Sequence, residues 1–408
     1  MIGYEEALKK IKELSNYFST QTEIVDLLKA QGRILAEDII SQENIPLADN
    51  SAMDGFALKA SETRLATQAN PLRFTVQSTI AAGDALGSQS PDQIKSNTCV
   101  EIMTGALLPD THYDSVVKVE DVQRQGNQII VLAPVPAGNN VRPKGTDFAI
   151  GNCVLFKNTV LKDQHIMALA ALGISTVIVK KKINVAVLST GNEIVPYEQK
   201  VVSNSQVRNS SAPFLKVFLE RNHCQVTLLG IQNDDPQSFL EIMSRLIKAD
   251  YDIILTTGAV SMGKWDFIIN TLPDLKMNML FHKVAIRPGK PILLAQSEDL
   301  KTVLFGLPGN PISTAVGARF FVLPLIEKIM QIEPLEKWFP LQSDVVKPDG
   351  LKCFFKAVLS EDSNPTVRAL TGQASYMIHS FLQSNCWVQL PAEGNVIKSG
   401  TKVRVVDL

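Results

Sequence analysis

The rhythm of apolar positions changes along the chain, and each change marks a different kind of element. The first 45 residues read as helical. Both "YEEALKKIKELSNYF" and "EIVDLLKAQGRILAEDII" place apolar side chains at i, i+3 and i+4. From residue 46 to about 145 short β-rich runs take over: "RFTVQSTI", "CVEIM", "SVVKVEDV" and "QIIVLAPV". Gly, Pro, Asn and Asp clusters separate them, which predicts a small all-β domain. Helical spacing returns in "DQHIMALAALG", so the β domain reads as an insertion into a helical or linker domain made of residues 1–45 and 146–182.

Residues 183–330 alternate strand and helix. "INVAVLST", "QVTLLGI" and "YDIILTT" are strands, while "APFLKVFLERN" and "PQSFLEIMSRLIKA" are amphipathic helices. That order predicts a parallel sheet with right-handed crossovers in a layered α/β domain. Over residues 331–408 the texture is β again, with "CFFKAVLS", "CWVQLP" and "TKVRVVDL", and predicts a small C-terminal barrel-like β domain. The fold class expected is therefore a multidomain α/β protein.

Composition narrows the function classes. In 408 residues, 45% are hydrophobic and 20% charged, the balance of an ordinary globular protein large enough for several cores. A net charge of −1 argues against a nucleic-acid-coating protein, so any bound anion must meet a local cluster of cations. The five cysteines are scattered with no C-x-x-C pair, which argues against a zinc cluster or disulfide framework and suits a reducing cytoplasm. The longest apolar run, "IMALAALGISTVIV", is shorter than the roughly 20 residues of a membrane span.

Ligands of open parallel sheets bind beyond the carboxyl ends of the strands, where three loops stand out. They are "STGNE" (residues 189–193), "GAVSMGKWD" (258–266) and "GLPGNP" (306–311). The second nearly spells the triphosphate loop G-x-x-x-x-G-K-[ST]. Trp265 stands where the Mg²⁺-binding hydroxyl belongs, and no apolar strand ending in a metal-binding Asp follows. Its glycines still allow backbone N–H groups to approach an anion. "PGNP" reads as a turn with Asn310 as N-cap and Pro311 at the first helical position. "KVAIRPGKP" (283–291) carries three cations around a Pro-Gly turn; a solvated charged segment is the commoner meaning, but its position suits a polyanion. In the β domain, "NSAMDGFA" leads small uncharged residues up to one carboxylate, Asp54, and Asp-Gly there reads most simply as a turn.

In this order, "NSAMDGFA", "IMTGA", "STGNEIV", "GAVSMGKWD", "AIRPGKP" and "LPGNP" resemble the molybdopterin molybdenumtransferase family (MoeA and the E domains of gephyrin and its plant counterpart). The resemblance spans nearly the whole chain. It implies an enzyme that cleaves adenylylated molybdopterin, releases AMP and moves molybdenum from molybdate onto the dithiolene sulfurs. Mg²⁺ would be the cofactor, and a hard cation beside phosphate wants carboxylate oxygens. Molybdenum would take its soft sulfur ligands from the pterin, so no cysteine cluster is needed.

By motif match, the resemblance places Asp54, Asp147, Glu193 and Asp266 at the family's acidic positions, as metal ligands and as groups orienting water or a molybdate oxygen. Asp234 would lie near the nucleotide and Thr104 near the site. Lys283, Arg287 and Lys290 would hold phosphate and molybdate, with Lys283 at the chemistry. The pterin and oxyanion pocket would take shape from Gly191, Gly258, Ser261 and Gly263, from Pro308, Gly309, Asn310, Pro311 and Ser313, and from Ser375. Further implications are a homodimer with the site shared between chains, a protein that supplies the adenylylated pterin, and molybdoenzymes or their chaperones as receivers. Neither a membrane nor nucleic acid is expected.

The chain also departs from the family. Arg287 stands where many relatives carry lysine, Ala374 and Tyr376 replace glycines around Ser375, and "LKCFFK" lacks an arginine that many relatives place before its aromatic. Arg287 keeps the charge and offers a planar fork of donors, whereas Ala374, Tyr376 and the missing arginine predict a weaker molybdate contact. The alternative of a non-catalytic molybdopterin-binding or scaffold protein of the same fold is disfavoured by retention of all four carboxylates. A triphosphate hydrolase is disfavoured by Trp265.

Overall fold

In the computed structural model, which describes residues 1–84, 95–109, 112–200, 202–258 and 267–408, the chain opens on α1 (Tyr4–Leu14). Ala7, Ile11 and Leu14 form its buried face, and Glu5 and Glu6 occupy the first turn, where the helix dipole favours acids. The second expected helix does not form. Residues 22–40 run instead as a strand (Thr22–Asp26), one 3₁₀ turn (Leu27–Lys29) and a two-residue strand (Ile39–Ile40). Local chemistry overrides the helical spacing. Thr22, Ile24 and Val25 are β-branched and stiff, and the Asp26 carboxylate accepts the Leu28 N–H at 2.9 Å to close a turn. Gly32 then sits at φ 74°.

The chain divides into two compact units. One comprises Asp26–Gln31 and Glu37–Val177. Its main sheet contains β1 (Gly55–Leu58), β2 (Leu72–Ile80), β3 (Thr98–Ile102), β4 (Ser115–Lys118), β5 (Val122–Gln125) and β6 (Gln128–Val131), in the order β4-β1-β3-β2-β6-β5. Phe56, Phe74, Cys99 and Ile129 belong to one core cluster of this unit and Ala57, Val100 and Val116 to another. Neighbouring positions on a strand point to opposite faces, so this sheet is buried on both. Later in the same unit comes α2 (Asp163–Ala171).

The other unit comprises Met1–Val25, Gly32–Ala36 and Ile178–Leu408. Its α/β part runs β7 (Ile183–Thr190), α3 (Ser211–Arg221), β8 (Cys224–Gln232), α4 (Pro236–Lys248), β9 (Ile253–Thr257), α5 (Phe267–Thr271), β10 (Met277–His282), β11 (Ile286–Arg287), β12 (Leu293–Ser297), β13 (Val303–Leu307), α6 (Pro311–Gly317) and α7 (Leu323–Met330). The sheet order is β8-β7-β9-β13-β12-β10. β8, β7, β9 and β13 are parallel as expected, but β12 runs antiparallel to both its neighbours. The link from β12 to β13 is too short for a crossover helix, and the Ser297 N–H donates to the Thr302 carbonyl at 2.9 Å across it. α4 is capped by Asp235, whose carboxylate accepts the Ser238 N–H at 2.8 Å, with Pro236 at the first helical position. Its Phe239, Met243 and Leu246 pack with Leu188, Ile254, Phe267 and Leu304 on one face of the sheet. Central β9 is buried along its whole length, as a covered parallel strand must be.

The C-terminal sheet is built from β14 (Lys337–Pro340), β15 (Lys352–Leu359), β16 (Val367–Ala369), β17 (Cys386–Leu390) and β18 (Lys402–Asp407), with the short α8 (Ile378–Leu382) between β16 and β17. Its order is β11-β15-β17-β18-β14, with β16 beside β15. Thus β11, whose sequence lies inside the α/β part, pairs with the C-terminal part: Ile286 faces Lys352 and Arg287 faces Cys353.

Candidate functional site

The ends of β7, β9 and β13 lie level, because Ser189 pairs with Thr257 and Thr257 with Leu307. The loops leaving them therefore meet at one place. The Gly258 N–H donates to the Leu307 carbonyl at 3.0 Å, and the Gly191 N–H to the Gln232 carbonyl at 3.2 Å. Gly258 has φ 99°, and a Cβ there would lie 2.5 Å from the Thr190 carbonyl oxygen. Only glycine lets these two strand ends come so close. Beneath them runs a set of buried hydrogen bonds. Asn209 Nδ2 donates to Ser189 Oγ at 2.9 Å, Thr257 Oγ1 to the same oxygen at 3.1 Å, and Thr314 Oγ1 to the Pro308 carbonyl at 2.7 Å. Buried polar groups paired in this way fix the loops above them.

Above this floor opens a cleft of about 1330 Å³. Many of the residues singled out from the sequence line it. Gly191, Glu193 and Asp234 come from the loops after β7 and β8; Gly258 follows β9. Arg287 and Lys290 come from the "RPGKP" segment. Pro308, Gly309, Asn310, Pro311 and Ser313 enclose the start of α6, and Ser375 belongs to the loop before α8. The Asp234 carboxyl is pushed above its ordinary range by partial burial; the Asn192 contact works the other way, and the Glu193 charge adds a smaller upward push. Arg287 and Lys290 are exposed and make no ion pair among the described residues.

Other candidates stand elsewhere. Lys283 is absent from this lining; its N–H donates to the Ile292 carbonyl at 3.0 Å, and its own carbonyl accepts from the Ile2 N–H at 3.1 Å. Asp54, Thr104 and Asp147 belong to the other unit, the one made of Asp26–Gln31 and Glu37–Val177, all three exposed. The Asp54 carboxylate accepts the Thr104 N–H at 2.7 Å and the Thr104 hydroxyl at 2.9 Å, and these two bonds hold it below the ordinary carboxylate range. Gly55 beside it is no turn glycine. It opens β1, so close to β4 that a Cβ would lie 2.0 Å from the Val117 carbonyl oxygen. Ser261, Gly263 and Asp266 lie outside the described residues.

One part of the cleft escaped the sequence reading: Val202, Gln206, Arg208 and Asn209 line it from the segment before α3, which carries no motif. Ala374 and Tyr376, read from the sequence as departures, join Gln373 and Ser375 in the loop before α8. As for metals, no group of three or more His, Cys, Asp or Glu among the described residues is placed to hold one. Glu193 and Asp234 still bring two hard carboxylate donors to the cleft wall, the ligand type that Mg²⁺ takes beside phosphate.

Comparison with known proteins covers nearly the full length. Residues 2–173 match "MoeA N-terminal region (domain I and II)", residues 186–328 "Probable molybdopterin binding domain", and residues 339–408 "MoeA C-terminal region (domain IV)". The chain is 37% identical over 410 residues to the molybdopterin molybdenumtransferase of Synechococcus elongatus, covering 100% of both chains. It belongs to the molybdopterin molybdenumtransferase family. A second family member, from Haemophilus influenzae, is 32% identical and covers 99% of this chain and 98% of its own. The fold agrees with the structure of the molybdopterin biosynthesis MoeA protein of Pyrococcus horikoshii, at TM-score 0.83 and 28% identity over 100% of both chains. Among the described residues, no helix is long and apolar enough to cross a membrane.

Proposed function

We propose that this chain is a Mg²⁺-dependent molybdenum insertase that cleaves adenylylated molybdopterin, releases AMP and transfers molybdenum from molybdate to the dithiolene. One observation carries the reading: a single cleft combines two carboxylates, Glu193 and Asp234, with two cations, Arg287 and Lys290, above the glycine-built floor. Phosphate and molybdate are both oxyanions, which guanidinium and ammonium groups bind by charge-assisted hydrogen bonds. Arg287 offers a planar fork of donors, and Lys290 a rotatable point charge.

The bond broken is the phosphoanhydride at the adenylyl phosphorus. An oxygen nucleophile, from water or from molybdate, forms the new P–O bond, and the pterin phosphate leaves. Glu193 would orient that nucleophile, with Asp234 near the nucleotide. A Mg²⁺ ion held by Glu193, with Asp54, Asp147 and Asp266 as its further expected ligands, would neutralise charge on the phosphate oxygens. Gly191, Gly258, Gly309 and Ser313 shape the seat for the pterin end. Asp54 and Asp147 reach the reaction from a second copy of the chain, so the working species is a cytoplasmic homodimer with four domains per chain. One partner protein delivers the adenylylated pterin, and molybdoenzymes or their chaperones receive the product.

The test is AMP release by the purified chain from adenylylated molybdopterin. Release should require molybdate and Mg²⁺ together, and Glu193→Gln should lower it on the order of a hundredfold. Pterin binding without AMP release would favour a scaffold. Steady ATP hydrolysis abolished by Lys264→Ala would favour a triphosphate hydrolase.

A further inference from the structure

Lys356 is the most unusual charged residue of the C-terminal sheet. It lies in the middle of β15 with 0% of its surface exposed, among the largest fully buried side chains of the chain. No carboxylate accompanies it among the described ion pairs. Its Nζ donates instead to two backbone carbonyls, Gly372 at 2.7 Å and Met377 at 3.1 Å. A buried ammonium without a counter-ion is costly, and burial draws this one down to about 8. A methionine or leucine would fill a strand interior more cheaply. The cation therefore needs a reason to be there.

The two carbonyls bracket the loop that carries Gln373, Ala374, Ser375 and Tyr376 into the cleft. Other bonds act on the same loop. Ser380 Oγ donates to the Gly372 carbonyl at 2.7 Å. The Gln373 amide clamps the Lys356 backbone, with Oε1 accepting its N–H and Nε2 donating to its carbonyl, each at 2.9 Å. On the far side, the Ile312 N–H donates to the Ser375 carbonyl at 2.9 Å, tying the loop to the start of α6 beside Ser313. Loops between strands are ordinarily the adaptable part of a site. This one is held from within the sheet at both ends and from α6 at its middle.

We propose that Lys356 is a positioning residue: by gripping both ends of the 372–377 loop from inside the sheet, it fixes Ser375 at the oxyanion end of the cleft. The inference rests on the function proposed above. Lys356 itself lies outside the cleft lining, so its influence passes through the loop. Placement of the loop comes from the ammonium beneath it.

The experiment measures AMP release while molybdate and adenylylated molybdopterin are varied separately, for wild type, Lys356→Met and Ser380→Ala. Lys356→Met keeps the volume and removes the charged grip, whereas Ser380→Ala removes only a neutral hydroxyl that reaches the same two carbonyls, at 2.7 and 3.2 Å. The concentration of molybdate for half-maximal rate should rise about tenfold in Lys356→Met and about threefold in Ser380→Ala. The half-saturating pterin concentration and the rate at saturating molybdate should change less than about twofold. Equal shifts in both half-saturations, or none in either, would overturn the positioning role. If Lys356→Met does not fold, Ser380→Ala decides: an unchanged molybdate requirement overturns the proposal. A wild-type chain that releases no AMP refutes the underlying function and is read before either variant.

Discussion

Gly258→Ala puts the geometry of the floor to a quantitative test. An L-residue forced to φ 99° costs on the order of 1–3 kcal/mol. Its Cβ would also lie 2.5 Å from the Thr190 carbonyl oxygen and 2.8 Å from Thr190 Oγ1, so one strand end must retreat, adding roughly 1–3 kcal/mol of overpacking. Gly230→Ala is the matched control. It has φ 87°, but nothing lies within 4 Å of the new Cβ, so it carries the backbone strain alone. Thermal unfolding should then place Gly258→Ala below Gly230→Ala by roughly 2–12 °C, at about 2–4 °C per kcal/mol for a unit of this size. Turnover should separate the two more sharply. A retreat of several tenths of an ångström at a positioned site costs up to about a hundredfold in rate, whereas Gly230→Ala should stay within about twofold of wild type. Equal melting temperatures, or a Gly258→Ala enzyme with normal AMP release, would refute the idea that close approach of these strand ends builds the site.

Asp234→Asn should lower AMP release yet leave the fold slightly more stable at pH 7. Partial burial and the Glu193 charge raise the folded-state pKa of Asp234, so its ionised form is disfavoured in the fold. The penalty is full above the folded pKa and absent below the ordinary value near 4, so the melting-temperature gain of the variant should vanish as the buffer is acidified through that range. No gain at neutral pH would mean that burial does not disfavour the ionised form of Asp234 in the fold. Subunit mixing tests the shared site. Asp54→Asn and Glu193→Gln chains, each inactive alone, should recover roughly a quarter of wild-type activity after exchange, since random pairing leaves about half the dimers mixed with one intact site each. Confirmed exchange without recovery would show that each chain builds its own site.

The alternation of strands and helices over residues 183–330 was legible because it depends on local periodicity, and β7, α3, β8, α4 and β9 fall where the apolar pattern puts them. So was the start of α6, which Asn310 and Pro311 announce by themselves. What escaped depends on partners far along the chain. The reversed direction of β12 follows from a hairpin-like link that carries no strong turn signature. The false helix over residues 23–40 had apolar residues at the right spacing, but β-branched side chains, the Asp26 turn and Gly32 outweighed it. Val202, Gln206 and Arg208 reach the cleft without any motif. Lys356 reads in the sequence as one more polar residue in "CFFKAV", and only the fold reveals that nothing of it meets water.

The pairing of β11 with β15 reaches across the sequence in a way that affects how the enzyme comes into being. Arg287 belongs to a strand whose ladder partner, Lys352–Cys353, is made later by the ribosome. That partner is in turn buttressed by β17 and β18, the last of which ends at Asp407. A nascent chain can complete β7, β8, β9 and β13 and still hold Arg287 without its ladder partner, so this stretch of the cleft lining takes its place only after residues 352–353 have been made.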